Sequence, residues 1–373
     1  MNVLTIIILI FSLLGALDRI FGNKFGLGKE FERGFKLFGP MALSMIGMLI
    51  LAPAIGEWLS PVFEGFYDIF NIDPSIIPSS LFANDMGGTA LSLSVAKDGA
   101  VGNFNAYIVS SMMGCVISFT IPFALGLVNK EKHKDMLFGF LCGIVTIPIG
   151  SIISGFICGL SFLEIIIDLL PLFILAIIIT LGLLLAPNVT VKIFKVFGVI
   201  IQILIMIGLG LGIFTFLTKI TIVESFDSLE NAALICVNAC VTLSGAFPLM
   251  YVVGKILNKP MQKLGDKLQI NQVSALAFIS NLVTNATTFG VMNEMDKKGT
   301  VLNSAFAVSA AFTFGGHLAF TMAFNANYVL PLIVGKLISG ICALVLAMLL
   351  YKKYDKPACD APKNIDTQQT EQA

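Results

Sequence analysis

SSLFANDMGG, residues 79–88, places an asparagine, an aspartate and two glycines inside an apolar stretch. An acid at membrane depth is costly unless it is paired or hydrated. Paired glycines break a helix and let other groups approach the backbone. The reading of this stretch depends on whether the chain lies in a membrane, and composition decides that. The 373 residues are 57% hydrophobic and only 12% charged. A soluble domain carries about a quarter charged residues. There is too little polar surface to cover a water-soluble globule, so the chain reads as an all-α polytopic membrane protein. Its formal net charge is zero, which gives no footprint for a nucleic-acid partner. The partner that composition demands is the lipid bilayer.

A membrane span needs about 20 apolar residues. Uninterrupted candidates are 3–21, 36–56, 104–128, 136–159, 162–186, 194–218, 230–256, 301–324 and 329–350. The first lacks a basic leader, and its positive charges follow the apolar run, from Arg19 to Lys36. That is the pattern of a retained span with the N-terminus outside. Two further stretches, 75–97 and 270–295, are long enough to cross but are interrupted. The first is broken at Asn84-Asp85-Met86-Gly87-Gly88. The second is broken at Asn281 and at Thr284-Asn285-Ala286-Thr287-Thr288.

The lysines settle how the interrupted stretches run. If both crossed fully, Lys130, Lys132, Lys134, Lys192, Lys195, Lys255, Lys259, Lys263 and Lys267 would all face outward. Cytoplasmic loops carry the excess of Lys and Arg. If both stretches instead return to the side they came from, all of these lysines move inside. The acidic loop 57–75 then lies outside. The expected fold is therefore about nine transmembrane helices plus two re-entrant broken hairpins, N-terminus out and C-terminus in. The order span–span–hairpin–span–span occurs twice, at 3–159 and 194–350, with 162–186 as a linker span. The two halves are inverted repeats inside a single transport domain, 1–354. Echoes near an offset of 200 pair Asn84-Asp85 with Thr284-Asn285 and Asn103 with Asn303; Pro53 and Pro248 fall in corresponding spans. The tail 355–373 is polar and Pro-bearing and is expected to be disordered on the cytoplasmic side.

Inverted repeats with paired broken segments place binding near the midplane, where the breaks meet. The expected substrate-binding residues are Asp85, Asn84, Gly87, Gly88 and Thr89 from the first break, and Asn281, Thr284 and Asn285 from the second. Asp85 supplies a counter-charge for a cation or a coupling ion. The amides and hydroxyls supply hydrogen bonds. His317 and Lys336 are coupling or structural residues. Lys336 sits about two turns inside the last span, where it pairs with Asp85 or Asp168 or snorkels outward. Asp168 and Glu164 read as a solvated rim at the start of their span. Seven cysteines show no CxxC spacing, and only two histidines exist, so no soft metal site is expected. HExxH, GxSxG and P-loop motifs are absent from the sequence, which argues against an enzyme or an ATP-driven pump. No cofactor is implied.

The runs ANDMGG (83–88), SSMMGCVISFTIPFALGL (110–127), GIVTIPIG (143–150), VLNSAFAVSAAFTFGGHLAF (301–320) and LPLIVGKLISG (330–340) resemble the ethanolamine permease family of bacterial ethanolamine-utilisation operons (EutH type). The resemblance runs from about Asp18 to Met348. It implies import of ethanolamine across the bacterial cytoplasmic (inner) membrane, by a permease rather than an enzyme. The chain departs from the family pattern at two places. Gly316 precedes His317 where the family often has an acid, and Thr284 and Thr287 stand where it tends to have an asparagine and a proline. The chemistry agrees with the implied substrate, a protonated amine with one hydroxyl. Asp85 faces the ammonium, and asparagine and threonine side chains take the hydroxyl. Alternating access is the expected mode; an ion-coupled carrier of a small anion and a channel-like facilitator are the alternatives. A homo-oligomer is compatible with the sequence.

Overall fold

The computed structural model describes residues 3–355 and is helical throughout, with no strands among the described residues. Past Asp355, the tail expected to be disordered lies outside the described residues. Among the described residues, seven helices are long and apolar enough to cross a membrane, and an eighth forms if the bent pair Phe162–Asp168 and Leu170–Leu185 is one span. Burial orders them. The helix over Gly99–Leu127 is innermost, with 83% of its apolar window buried, against 22% for Pro187–Thr218. The outer helices turn Leu and Ile side chains such as Ile177, Leu184, Ile193 and Ile203 outward. That is the inverse of a soluble protein and suits a hydrocarbon solvent. The chain is thus a multi-pass membrane protein.

Both interrupted stretches fold back on themselves. A straight helix would hold residues 73 and 97 about 36 Å apart. Instead the Asp73 carboxylate accepts the backbone N–H groups of Lys97 (2.9 Å) and Asp98 (2.8 Å), and also that of Ser75 (2.9 Å). Inside this hairpin, Ser92 Oγ donates to Ser75 O at 3.2 Å. In the second stretch Asp296 Oδ1 accepts from Asn271 N (2.9 Å) and Ser274 Oγ (2.8 Å), and Asn271 Nδ2 donates to Glu294 O (2.8 Å). Thr288 Oγ1 reaches back eleven residues to Ala277 O at 3.2 Å. An aspartate therefore closes the mouth of each hairpin with charge-assisted hydrogen bonds.

Acids at the hairpin mouths also start the helices that follow. Asp98 caps Gly99–Phe104 through Ala100 N and Val101 N, and Asp296 caps Lys297–Ala310 through Gly299 N. In each following helix a buried asparagine bonds back to its hairpin. Asn105 Nδ2 donates to Ser75 Oγ (3.0 Å), and Asn303 Nδ2 to Ser274 O (2.9 Å). Asn303 and Asn105 thus make like contacts, whereas Asn103, which the sequence echo pairs with Asn303, is partly exposed and bonds its own helix at Gly99 O.

Two further sequence expectations change. The stretch 301–324 is not one continuous span. It breaks between Lys297–Ala310 and Gly316–Phe324, with Phe312 in the left-handed region at φ 61°. The freed backbone is not left bare, as lipid forbids. Phe312 N donates to Asn281 O (3.1 Å), and Phe314 N to Leu282 O (2.8 Å), so this break is laced to the second hairpin. The second change is Asp168, which is 4% exposed and buried against Asn105 rather than solvated at a rim. The helix Gly99–Leu127 also departs from regular form, being π-wound over Asn105–Gly114 and Val116–Thr120. Such winding is rare in extended runs and frequent at functional sites.

The hairpin geometry makes a labelling prediction. Single cysteines introduced at Asp68 and at Gly99, which flank the first hairpin and are exposed, should react with an impermeant thiol reagent from the same side of the membrane. A cysteine at Glu131 should react from the other side. Opposite reactivity of positions 68 and 99 would contradict a returning hairpin.

Candidate functional site

The first break is set by Gly87, whose φ of 94° lies in the left-handed region. A Cβ there would overlap the Met48 side chain, so glycine is required twice over, by conformation and by space. At Gly88 a Cβ would meet the Phe82 and Ala83 carbonyl oxygens. The turn leaves Asn84 buried, with its Oδ1 accepting Asp85 N at 2.9 Å and its Nδ2 without a partner. Asp85 follows at the tip, its side chain 26% exposed.

Asp85 meets the break in 297–324. Gly316, the first residue of the helix Gly316–Phe324, lies so close that a Cβ on it would stand 3.4 Å from Asp85 Oδ2. One residue on, His317 Nε2 lies 4.0 Å from Asp85 Oδ1. The other imidazole nitrogen, Nδ1, lies 3.2 Å from Lys336 Nζ, which also donates to Ser111 O at 2.6 Å. An ammonium has three donors and no acceptor, so Nδ1 must be the acceptor in this contact. The proton of the neutral imidazole then sits on Nε2, the nitrogen that faces Asp85. Lys336, His317 and Asp85 form a chain of charge and dipole across three separate elements.

The chain is deeply placed. Lys336 and His317 are each 1% exposed. Lys336 does not snorkel, and its partners are a backbone carbonyl of the π-wound helix and an imidazole rather than a contacting acid. Phe312, in the break itself, lies tilted against the His317 ring at a centroid distance of 4.8 Å. The carboxylate partner absent at position 316 comes instead from Asp85, some 230 residues earlier in the chain. An acid at 316 would crowd that carboxylate.

The other sequence-predicted residues divide. Asn281 and Asn285 are buried, and each keeps an Oδ1 without a partner. Asn285 Nδ2 donates to Thr120 Oγ1 (3.2 Å), joining the tip of the second hairpin to the π-wound helix. Thr89 is spent structurally, its Oγ1 donating to Ala106 O at 2.7 Å. Thr284 caps the helix Asn285–Gly290 through Ala286 N. It also lines a cavity of about 220 Å³ together with Glu30, Arg33, Phe247, Tyr251, Ser280 and Thr287; Asp85 is not among the lining residues. Sequence reasoning missed Thr321, one turn beyond His317, buried with an unpartnered hydroxyl. It also missed Ser111 O, which no sequence signal marks. Among the described residues no group of three or more His, Cys, Asp or Glu is arranged to hold a metal ion.

The site therefore offers one carboxylate to which no other residue donates a hydrogen bond. It also offers unpartnered amide and hydroxyl groups on the elements that converge there. Broken helices meeting around intramembrane charge, inside a polytopic helical bundle, define the architecture of secondary transporters. Comparison with known proteins gives the family. The chain belongs to the family described as Ethanolamine utilisation protein, EutH, whose family model matches residues 1–350. It is 39% identical over 355 residues, 95% of each chain, to the probable ethanolamine permease EutH of Listeria monocytogenes serotype 1/2a. The proteins of the same name from Salmonella typhimurium and Escherichia coli K12 are 35% and 34% identical. They cover 95% and 96% of this chain and 96% and 97% of their own lengths. These relatives are named as permeases and not as enzymes. No solved structure matches the chain.

The turn at Gly87 gives a stability prediction. Gly87→Ala should cost at least the roughly 1–2 kcal/mol of a left-handed L-residue, plus the displacement of Met48. Thermal unfolding of the purified protein measures this as a lowered midpoint. An unchanged midpoint would contradict the role assigned to Gly87.

Proposed function

We propose that the chain imports protonated ethanolamine across the bacterial cytoplasmic membrane, by alternating access at a site where the two hairpin tips meet the break in 297–324. The observation that carries this reading is Asp85, an acid at a hairpin tip within the bundle, partly accessible and unclaimed by any neighbour's hydrogen bond. Its facing imidazole stops at 4.0 Å, too far for a hydrogen bond. A small ammonium can approach Asp85 from its accessible side as a charge-assisted donor. The substrate hydroxyl would donate to one of the open oxygens, Asn281 Oδ1, Asn285 Oδ1 or Thr321 Oγ1, or accept from Asn84 Nδ2. Relatives named as probable ethanolamine permeases over nearly the whole chain support the same substrate.

In this reading residues 3–159 and 194–350 are inverted repeats about the linker 162–186, with the N-terminus outside and the C-terminus inside. The matched aspartate clamps at Asp73 and Asp296, and the matched asparagines Asn105 and Asn303, support that symmetry. The first hairpin opens outward and the second inward, and each mouth would serve one side of the cycle. The cavity beside Thr284 would be the inner vestibule, with Glu30 at its wall. A membrane potential negative inside draws a monovalent cation inward by about 2.3 kcal/mol per 100 mV. Uptake would therefore concentrate substrate without a coupled ion.

Uptake of labelled ethanolamine by the reconstituted protein tests the reading. An imposed interior-negative potential should stimulate it. Asp85→Asn should lower uptake at least about tenfold, since a hydrogen bond to a charged group contributes about 1.5–3 kcal/mol. Unchanged uptake by Asp85→Asn would remove Asp85 from the substrate site.

A further inference from the structure

Another acid, buried and away from the Asp85 site, lies at the seam between the linker helix and the mouth of the first hairpin. Asp168 ends the helix Phe162–Asp168 and is 4% exposed; Asn105, opposite it, is fully buried. Asn105 Nδ2 spends its two hydrogens on Ser75 Oγ (3.0 Å) and Asp168 Oδ1 (3.1 Å). Two atoms of this pair are left over. Asp168 Oδ2 and Asn105 Oδ1 are both buried without a hydrogen-bond partner. Both are acceptors, so neither can satisfy the other while Asp168 is ionised.

No cation compensates such a charge. None of the ion pairs among the described residues includes Asp168. The charged groups that face it are two more acids, Asp73 and Asp98. Their carboxylates are already engaged by backbone N–H groups of the hairpin mouth. Glu164, on the same helix, is held by Ser161. The helices packed alongside contribute residues 143–157 and 170–185, and neither stretch contains a charged residue.

We propose that Asp168 is a proton-binding site, and that the bound proton lies between Asp168 Oδ2 and Asn105 Oδ1. One proton satisfies both leftover atoms. It completes a two-hydrogen-bond ring of carboxylic acid and amide, in which Nδ2–H donates to Oδ1 and Oδ2–H donates back. The ring joins the linker helix to Asn105, and Asn105 joins Ser75 at the hairpin's start. Loss of the proton sets two lone-pair-bearing oxygens against each other and releases this seam. Proton occupancy at Asp168 is thereby coupled to the closure of the outer hairpin mouth.

Infrared difference spectroscopy of the purified full-length protein tests this without a transport readout. At neutral pH the wild type should show a protonated-carboxyl C=O band that shifts in D2O. Asp168→Asn should lack that band and remain folded, because an amide at 168 closes the same ring with its own N–H. Asn105→Leu should retain the band at the higher frequency of an unbonded carboxyl. Three results would overturn the proposal. The first is an identical band in Asp168→Asn. The second is loss of folded protein in that variant, which would mean a negative charge is needed. The third is a thermal midpoint raised by sodium in the wild type but not in Asp168→Asn, which would place a metal cation between the oxygens.

Discussion

A lysine ammonium closed inside an apolar bundle must be given acceptors, and the rest of this structure is arranged around that requirement. Lys336 reaches Ser111 O and His317 Nδ1, two groups that ordinary helical continuity would not have brought to it. Ser111 lies in a π-wound stretch. His317 stands at the start of a helix that begins only because the chain breaks at 311–315. Through the imidazole, the polarity set by Lys336 arrives at Asp85. Removing the lysine would leave an imidazole nitrogen and a carbonyl oxygen without their donor, at about 1–3 kcal/mol for each buried group so orphaned.

The second constraint is the backbone. Three breaks near membrane depth would expose many N–H and C=O groups, each costing several kcal/mol in hydrocarbon. The cost is met by gathering the breaks together. The break at 311–315 donates to Asn281 O and Leu282 O of the second hairpin. The first break is held by Ser118 Oγ, which accepts Ala83 N at 2.9 Å. Asn285 bridges to Thr120 on the same π-wound helix. The proposed binding chemistry and backbone satisfaction therefore occupy one place, where the fold can tolerate irregular chain.

Much of this was legible in the sequence. Asn84, Asp85, Gly87 and Gly88 are polar or turn-forming residues in an apolar context, and the lysine distribution required the two stretches to return. The break at 311–315 was hidden because Phe312, Thr313 and Phe314 read as ordinary apolar helix; Gly315-Gly316 was its one signal. The Lys336–His317–Asp85 chain was only half visible: a pairing of Lys336 with Asp85 could be expected, but not the imidazole between them. Its members come from elements far apart in sequence, and no local period brings them together. Thr89 and Thr284 carried the right chemistry for a ligand, but their hydroxyls are used by the fold. Asp168 looked like a rim residue because it begins a span, whereas the packing of the hairpin mouth covers it.

The proposed function rests on the Asp85 carboxylate receiving the substrate's ammonium. Solid-state NMR on the reconstituted protein measures this contact directly, using ¹⁵N-ethanolamine and protein labelled with ¹³C at aspartate carboxyls. Dipolar coupling between the bound nitrogen and one aspartate carboxyl at hydrogen-bond distance is expected, and should be lost in Asp85→Asn. Bound ethanolamine with no aspartate carboxyl in reach, or with coupling that survives Asp85→Asn, would contradict it.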